Sequence, residues 1–368
     1  MHSATQLSKT QPEPLPTSSM VPGLTLAMLL ALLANLLADR LTHMTPEFGP
    51  LPVSPIVIAI LLGALIRNVT GIDKSCGPGI KFSQCRILQI GIVLLGIRLG
   101  FSDAAVIGIS SIPLIVATVS MAILLVSLLG RQLGLTPQLA TLIAAGTSIC
   151  GATAIVTTAP IIAARDHDVS YAIACITLFG IVGTLTYPLA ANYMFAGDAH
   201  KAGLFLGTAI HDTAQVVGAG MIYQNLFDSA VALDTATVTK LVRNLSMLIV
   251  IPLLSISFQR RHNTAGNPPH WTKLIPLFIV GFALMSLLRT TGDMGASAFG
   301  VLPKAQWEIV VNTLTSISGG CLLIAMAAVG LCTNLASLRQ VGLKPLGLGL
   351  AAAITTGLLS GSLIHFFY

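Results

Sequence analysis

The sequence specifies an all-α, polytopic membrane protein, and three observations lead there. Only 9% of the 368 residues are charged, while 54% are hydrophobic and the mean hydropathy is +0.86; a soluble domain carries about 25% charged residues. The apolar residues gather into stretches bounded by charges, Pro and Gly, each near the ~20 residues that a membrane-crossing helix requires. Inside them Gly, Ala, Ser and Thr are abundant and aromatics make up only 5% of the chain, a composition suited to helices packed closely in lipid.

Residues 1–20 are polar, with Lys9 as their only charge besides Glu13, and lack the basic start and cleavage site of a signal peptide; they are expected to be a disordered tail. About eleven spans follow, over residues 21–39, 52–69, 84–101, 105–130, 138–163, 168–194, 201–223, 238–258, 273–291, 306–332 and 343–367. Backbone polar groups in hydrocarbon must pair within their own segment, so each span is expected to be helical. Eleven crossings put the termini on opposite sides. Twelve of the nineteen Lys and Arg then fall on the N-terminal side, which places the N-terminus in the cytoplasm and the C-terminus outside.

Positive charge without basic runs or interleaved aromatics excludes a nucleic-acid partner. The six cysteines, Cys76, Cys85, Cys150, Cys175, Cys321 and Cys332, form neither a CxxC pair nor a Cys/His cluster, so no metal and no cofactor is expected. Absent GxxxxGK[ST], HExxH and GxSxG motifs argue against ATP hydrolysis, a zinc protease or a serine hydrolase, and no enzyme activity is expected.

Two segments echo others. Pro55–Gly71 lies over Pro276–Gly292, and Ile87–Gly108 over Cys321–Gly342; both pairs are an odd number of spans apart, as in an inverted duplication. The expected organisation is an extra first helix at 21–39, one repeat over about 52–194 and a second over about 201–367. A shorter echo, GTSICGATAIV at 146–156 and GTAIHDTAQVV at 207–217, joins spans two apart. It would be parallel and does not fit that scheme, unless the span count is off or the match is chance.

Polar residues at bilayer depth mark candidate sites. Span five carries Thr147, Ser148, Cys150, Gly151, Thr153, Thr157 and Thr158 before Pro160; its glycines and proline loosen the helix, and its hydroxyls either bond their own turns or face an aqueous cavity. Span seven carries Thr208, His211, Asp212 and Gln215. These suit a proton or cation coupling site, a polar wall of a substrate cavity, or a hydrogen-bonded clamp between helices. Arg98, Lys240 and Arg243 lie near span ends and either snorkel or attract an anion. Ser318, Gly319 and Gly320 make span ten a second loosened helix, with Gly319–Gly320 as the expected unwinding point.

At GIVLLGIRLG (91–100), GTSICGATAIVTTAP (146–160) and IHDTAQVVGAG (210–220), the chain resembles the YeiH-type sulfate exporter family of bacterial membrane proteins. More distantly, SICGATAIVTTAP with the following DVSYAIACITLFGIVGTLTYPL is similar to the broken fourth helix and next helix of bile-acid sodium symporters. That resemblance implies inverted repeats with two crossing broken helices, and places span ten opposite span five. Ile149-Cys150-Gly151 replaces the usual Pro-Gly-Gly, and sodium sites are not carried over. The function expected is secondary transport of a small anion, with sulfate or another sulfur oxyanion implied by the resemblance, coupled to H+ or Na+ across the bacterial inner membrane. Substrate would meet Thr147, Ser148, Cys150, Gly151, Thr153, Thr208, Gln215, Ser318, Gly319 and Gly320, with His211 and Asp212 coupling the ion. The lipid bilayer is the other expected partner, and a homodimer is compatible. A passive anion channel or a non-transporting receptor is the alternative.

Overall fold

The computed structural model of the chain describes residues 20–43, 54–262, 276–295, 297–336 and 342–368. The tail expected over 1–19 lies outside the described residues. Among the described residues long apolar helices dominate, with one two-residue hairpin ladder, β1 (Ser297–Ala298) with β2 (Leu302–Pro303). Calling the face where α1 (Val21–His43) begins the near face, α1 runs to the far face and α2 (Pro55–Val69) returns. The next segment, Lys74–Arg98, goes out again as α3 (Gly77–Phe82), a wide π turn at Ser83–Ile87, α4 (Leu88–Leu95) and a tight turn at Gly96–Arg98. Then α5 (Phe101–Gln132) comes back.

The expected fifth and seventh spans, 138–163 and 201–223, are present as apolar segments, but each turns back instead of crossing. Thr136 accepts from the Leu139 amide at 3.3 Å and Pro137 occupies the first turn, so α6 (Pro137–Ser148) starts cleanly. It ends at Ile149–Gly151, where Gly151 adopts φ +67° and ψ −127°, a conformation that only Gly takes without strain. The chain then reverses into α7 (Ala152–Thr158), and Gly146 packs against Ile155. The flanking helices prove the reversal. α15 (Leu343–Phe367) runs alongside α8 (Asp166–Met194), from Pro345 beside Cys175 to Gly361 beside Met194. It runs against α5, from Leu348 beside Gly130 to Tyr368 bonded to the Ser110 carbonyl. Thus α5 and α8 are antiparallel, and the segment between them enters and leaves by the near face.

The second hairpin enters from the far face. Asp198 caps α9 (Ala199–Ala209), accepting from His200 and Lys201 at 3.0 Å each. α9 runs with α11 (Ala230–Leu245), Gly203 on Thr235 and Gly207 on Thr239. α10 (Thr213–Phe227) runs against it, with Asn244 bonded to Thr213 at 3.1 Å and Gly220 on Leu233. The two arms are therefore opposed, and the turn is Ile210–Asp212. Gln215 bonds the Thr177 carbonyl at 3.1 Å and packs on Gly180, halfway along α8, which puts this tip at mid-depth. α11 and α12 (Met247–His262) then carry the chain to the near face.

The short echo thus joins the tips of two hairpins that enter from opposite faces. The expected crossing partner in span ten is replaced by the second hairpin: α14 (Lys304–Cys332) is continuous through Gly319–Gly320. α13 (Leu277–Asp293) and α14 pack on the α3–α4 segment and on α2 and α1, forming a frame beside the hairpin-bearing core. Apolar side chains facing outward along α1, α5 and α13, such as Leu29, Ile109 and Leu284, are exposed, as a lipid-facing perimeter requires.

Close backbone approach joins α2 to α14. A methyl group at Gly330 would sit 2.3 Å from the Ile60 carbonyl oxygen, whereas one at Gly320 would meet nothing within 4 Å. Gly330→Ala is expected to cost about 2 kcal/mol through overpacking, and Gly320→Ala to be neutral. Thermal unfolding of the two purified variants in detergent checks this; equal midpoints would refute the close packing.

Candidate functional site

Each hairpin tip leaves the last carbonyls of its inbound helix without intrahelical partners, and at mid-depth no bulk water is there to take them. α11 supplies the partners. Lys240, 0% exposed, donates to the carbonyls of Ile149 (3.0 Å), Ile210 (3.1 Å) and His211 (2.5 Å). Arg243, 1% exposed, donates Nε to Ser148 O (2.9 Å), Nη1 to Thr208 O (2.6 Å) and Ile210 O (3.2 Å), and Nη2 to Thr147 O. One turn of α11 thereby ties both tips together, and two cations lie at the negative ends of α6 and α9. Lys240 and Arg243 neither snorkel nor face solvent.

Asp212 opposes them. It caps α10 by accepting from the Ala214 amide at 2.9 Å, the Ala152 amide of α7 also points to it, and its carboxylate packs on Gly151. A methyl group at Gly151 would lie 2.9 Å from Asp212 Oδ2, so the tip contact needs glycine there.

Asp212 also bounds a cavity of ≈ 570 Å³ between the core and the frame. Its mouth, toward the near face, carries Lys81 and Pro276. Gln84, Cys85 and Gln89 line one wall, and Thr153, Thr157 and Cys150 of the first hairpin line the other. Asp212, Thr213, Asn244 and Met247 close its floor. The π turn at Ser83–Ile87 aims Gln84 and Cys85 inward; such turns interrupt helices at functional sites.

Of the residues expected to bind substrate, Cys150 and Thr153 face this cavity and Gly151 forms its adjoining turn. Thr147 and Ser148 are fully buried behind the tip, their hydroxyls unpaired and their carbonyls held by Arg243. Thr208 bonds Leu204 O at 2.7 Å and Ser360 at 2.5 Å, and Gln215 is buried against α8. His211 is buried and does not line the cavity, although its neighbour Asp212 does. Ser318 bonds the Gly91 carbonyl at 2.7 Å where α14 packs on α4 and does not line the cavity, while Gly319 and Gly320 line a separate cleft of ≈ 450 Å³ with Asn35, Pro55 and Asn225. Arg98 sits at the far face, 3.5 Å from Asp234 and 3.1 Å from Gln224. Lys81, Gln84, Gln89, Thr213 and Asn244 complete the cavity without having been singled out in the sequence. They lie at helix ends or among ordinary helix-surface residues; the turn at Ile210–Asp212 brings Thr213 to the tip, where Asn244 of α11 bonds it. Among the described residues no cluster of three or more His, Cys, Asp or Glu is suited to a metal.

Arg243→Lys is expected to lower stability by about 3 kcal/mol or more, because an ammonium cannot reach both hairpins' carbonyls as the guanidinium fork does. Size-exclusion profile and thermal midpoint in detergent read this out, and an unshifted midpoint would show that the fork is dispensable.

Comparison with known proteins identifies the family. The family described as Conserved hypothetical protein 698 matches residues 22–349. A UPF0324 membrane protein of Streptococcus mutans is 35% identical over 350 residues, covering 93% of this chain and 96% of its own. One from Fusobacterium nucleatum is 32% identical over 338 residues (90% and 95%), and one from Agrobacterium fabrum 33% over 351 (94% and 93%). This chain is a membrane protein belonging to the UPF0324 family.

Proposed function

We propose that the chain is a secondary active transporter of a small anion, with sulfate or another sulfur oxyanion as the substrate class and H+ or Na+ as the coupling ion. The observation that carries the reading is the cavity reaching from one face to the meeting point of two hairpins that enter from opposite faces. A path that ends at mid-depth on such a junction is the geometry alternating access needs. Charge supports the sign of the substrate. Lys240 and Arg243 lie just behind the floor and, among the described residues lining the cavity, Asp212 is the carboxylate that opposes them, while Lys81 stands at the mouth. Thr153, Thr213, Asn244, Gln84 and Gln89 offer neutral hydrogen-bonding groups to an oxyanion. Asp212 carries the coupling role, since it faces both the cavity and the tip; His211 contributes through the backbone carbonyl that Lys240 holds.

The reading extends to an inner-membrane location with a cytoplasmic N-terminus. Among the described residues, with neither hairpin crossing, Arg67, Lys74, Lys81, Arg86, Arg131, Arg165, Arg260, Arg261 and Lys344 belong to the near face, and Arg40, Arg98, Lys201, Arg289 and Lys304 to the far face. Nine against five supports a cytoplasmic near face. An inverted duplication is supported by direction: α2 runs opposite to α13 and α4 opposite to α14, the pairs joined by the two longer echoes.

In proteoliposomes, uptake of labelled sulfate, sulfite or thiosulfate is expected to saturate and to follow an imposed pH or sodium gradient; a channel would not saturate, and a receptor would move nothing. Asp212→Asn is expected to abolish gradient-driven uptake while keeping the fold, because Asn caps a helix nearly as well as Asp. Undiminished uptake by this variant would remove Asp212 from coupling. A C-terminal reporter that is active only outside the cytoplasm is expected to be active, and one at the N-terminus silent.

A further inference from the structure

The core and the frame stand apart around the cavity at the near face, yet polar bridges join them at the far face. Arg98 closes the frame segment that contains α3 and α4. Its Nη1 donates to Gln224 Oε1 on α10 at 3.1 Å, and its Nε lies 3.5 Å from Asp234 Oδ1 on α11. Beside it, Asn225 on α10 donates to Ser54, the residue before α2, at 3.2 Å. Beneath these bridges Ile56 is 1% exposed, close to Gly218 of α10 and Met326 of α14. The seal is therefore apolar inside and polar at its rim.

We propose that Arg98, with Asp234 and Gln224 as its partners and Ser54–Asn225 beside it, forms the far-face gate of the solute path. The gate is closed while the cavity is open to the near face, and parts when access reverses. The inference rests on the transport reading and adds to it the residues that close the other side. Three features fit a gate better than a permanent joint. The Arg98 and Asp234 side chains keep 17% and 14% exposure, so water can take over their hydrogen bonds when they separate, unlike the enclosed Lys240 and Arg243. A pair held at 3.5 Å with water still in reach separates at less cost than an enclosed one, and a gate must open within each cycle. Finally, Arg98 lies immediately before Leu99–Gly100, the extended link from frame to core, where the chain leaves helical geometry on both residues. Motion of core against frame pivots there, and the clasp spans the pivot.

The test reads sided accessibility, independently of transport. Ile56→Cys reports the far-face seal and Thr157→Cys the near-face cavity, each labelled in sealed proteoliposomes by a membrane-impermeant maleimide from its own face, above the signal of the six native thiols. Adding Arg98→Gln or Asp234→Asn is expected to raise Ile56→Cys labelling about fivefold, the shift that about 1 kcal/mol produces, and to lower Thr157→Cys labelling. The charge exchange Arg98→Asp with Asp234→Arg is expected to restore both signals. If both reporters gain together, the pair merely holds the molecule tight and the gate is refuted; no change in either also refutes it. Opposite shifts in a protein that moves no anion would sustain the gate and overturn the transport reading instead.

Discussion

The fold depends on two buried cations meeting a set of helix-end carbonyls. A hairpin that stops at mid-bilayer strands the last carbonyls of its inbound arm where water is absent, and two such hairpins meeting tip to tip double the problem. Lys240 and Arg243 solve it from one turn of α11, one as a point charge shared by three carbonyls, the other as a planar fork reaching both hairpins. Their own charges are tolerable at depth because each charged nitrogen finds a carbonyl oxygen and because α6 and α9 present negative ends to them. Asp212 then balances part of the remaining charge from the cavity side.

This arrangement separates structure from chemistry within a few ångströms. The inbound arms, α6 and α9, end on the cations and face protein. The outbound arms begin on Asp212, and Thr153 and Thr213 stand at their starts beside open space. The open space at the tip is thus lined by hydroxyls, an amide and a carboxylate, while the cations stand behind the backbone they hold and act there through their field rather than by contact.

Much of the architecture was legible in the residues. Composition and hydrophobic length specified a helical membrane protein, and Gly151 and Asp212 stood out as a loosened point and a charge at depth, while the GTSIC/GTAIH echo was visible but did not fit the expected repeats. Two things were not legible. A helical hairpin of 22 residues has the same apolar length as one crossing helix, so chain reversal at Ile149–Gly151 and Ile210–Asp212 leaves no signal in hydropathy. Likewise Gly319-Gly320 reads as a breaking point, yet α14 runs unbroken through it and the glycines line a cleft. Lys240 and Arg243 looked like ordinary span-end cations because α11 starts eight residues earlier than its hydrophobic stretch, which moves them from the rim to the centre. The cavity's other wall, with Gln84, Cys85 and Gln89, depended on a π turn that no local motif announces.

The separation in sequence between the hairpins and their cations bears on how the molecule is made. Ile149 precedes the lysine that receives its carbonyl by 91 residues, and the second hairpin is synthesised in between. Until α11 leaves the ribosome, the carbonyls that end α6 lack the partners that hydrocarbon cannot supply. The first hairpin must wait at the membrane surface or within the insertion machinery, so assembly of the core is ordered by the arrival of a single helical turn.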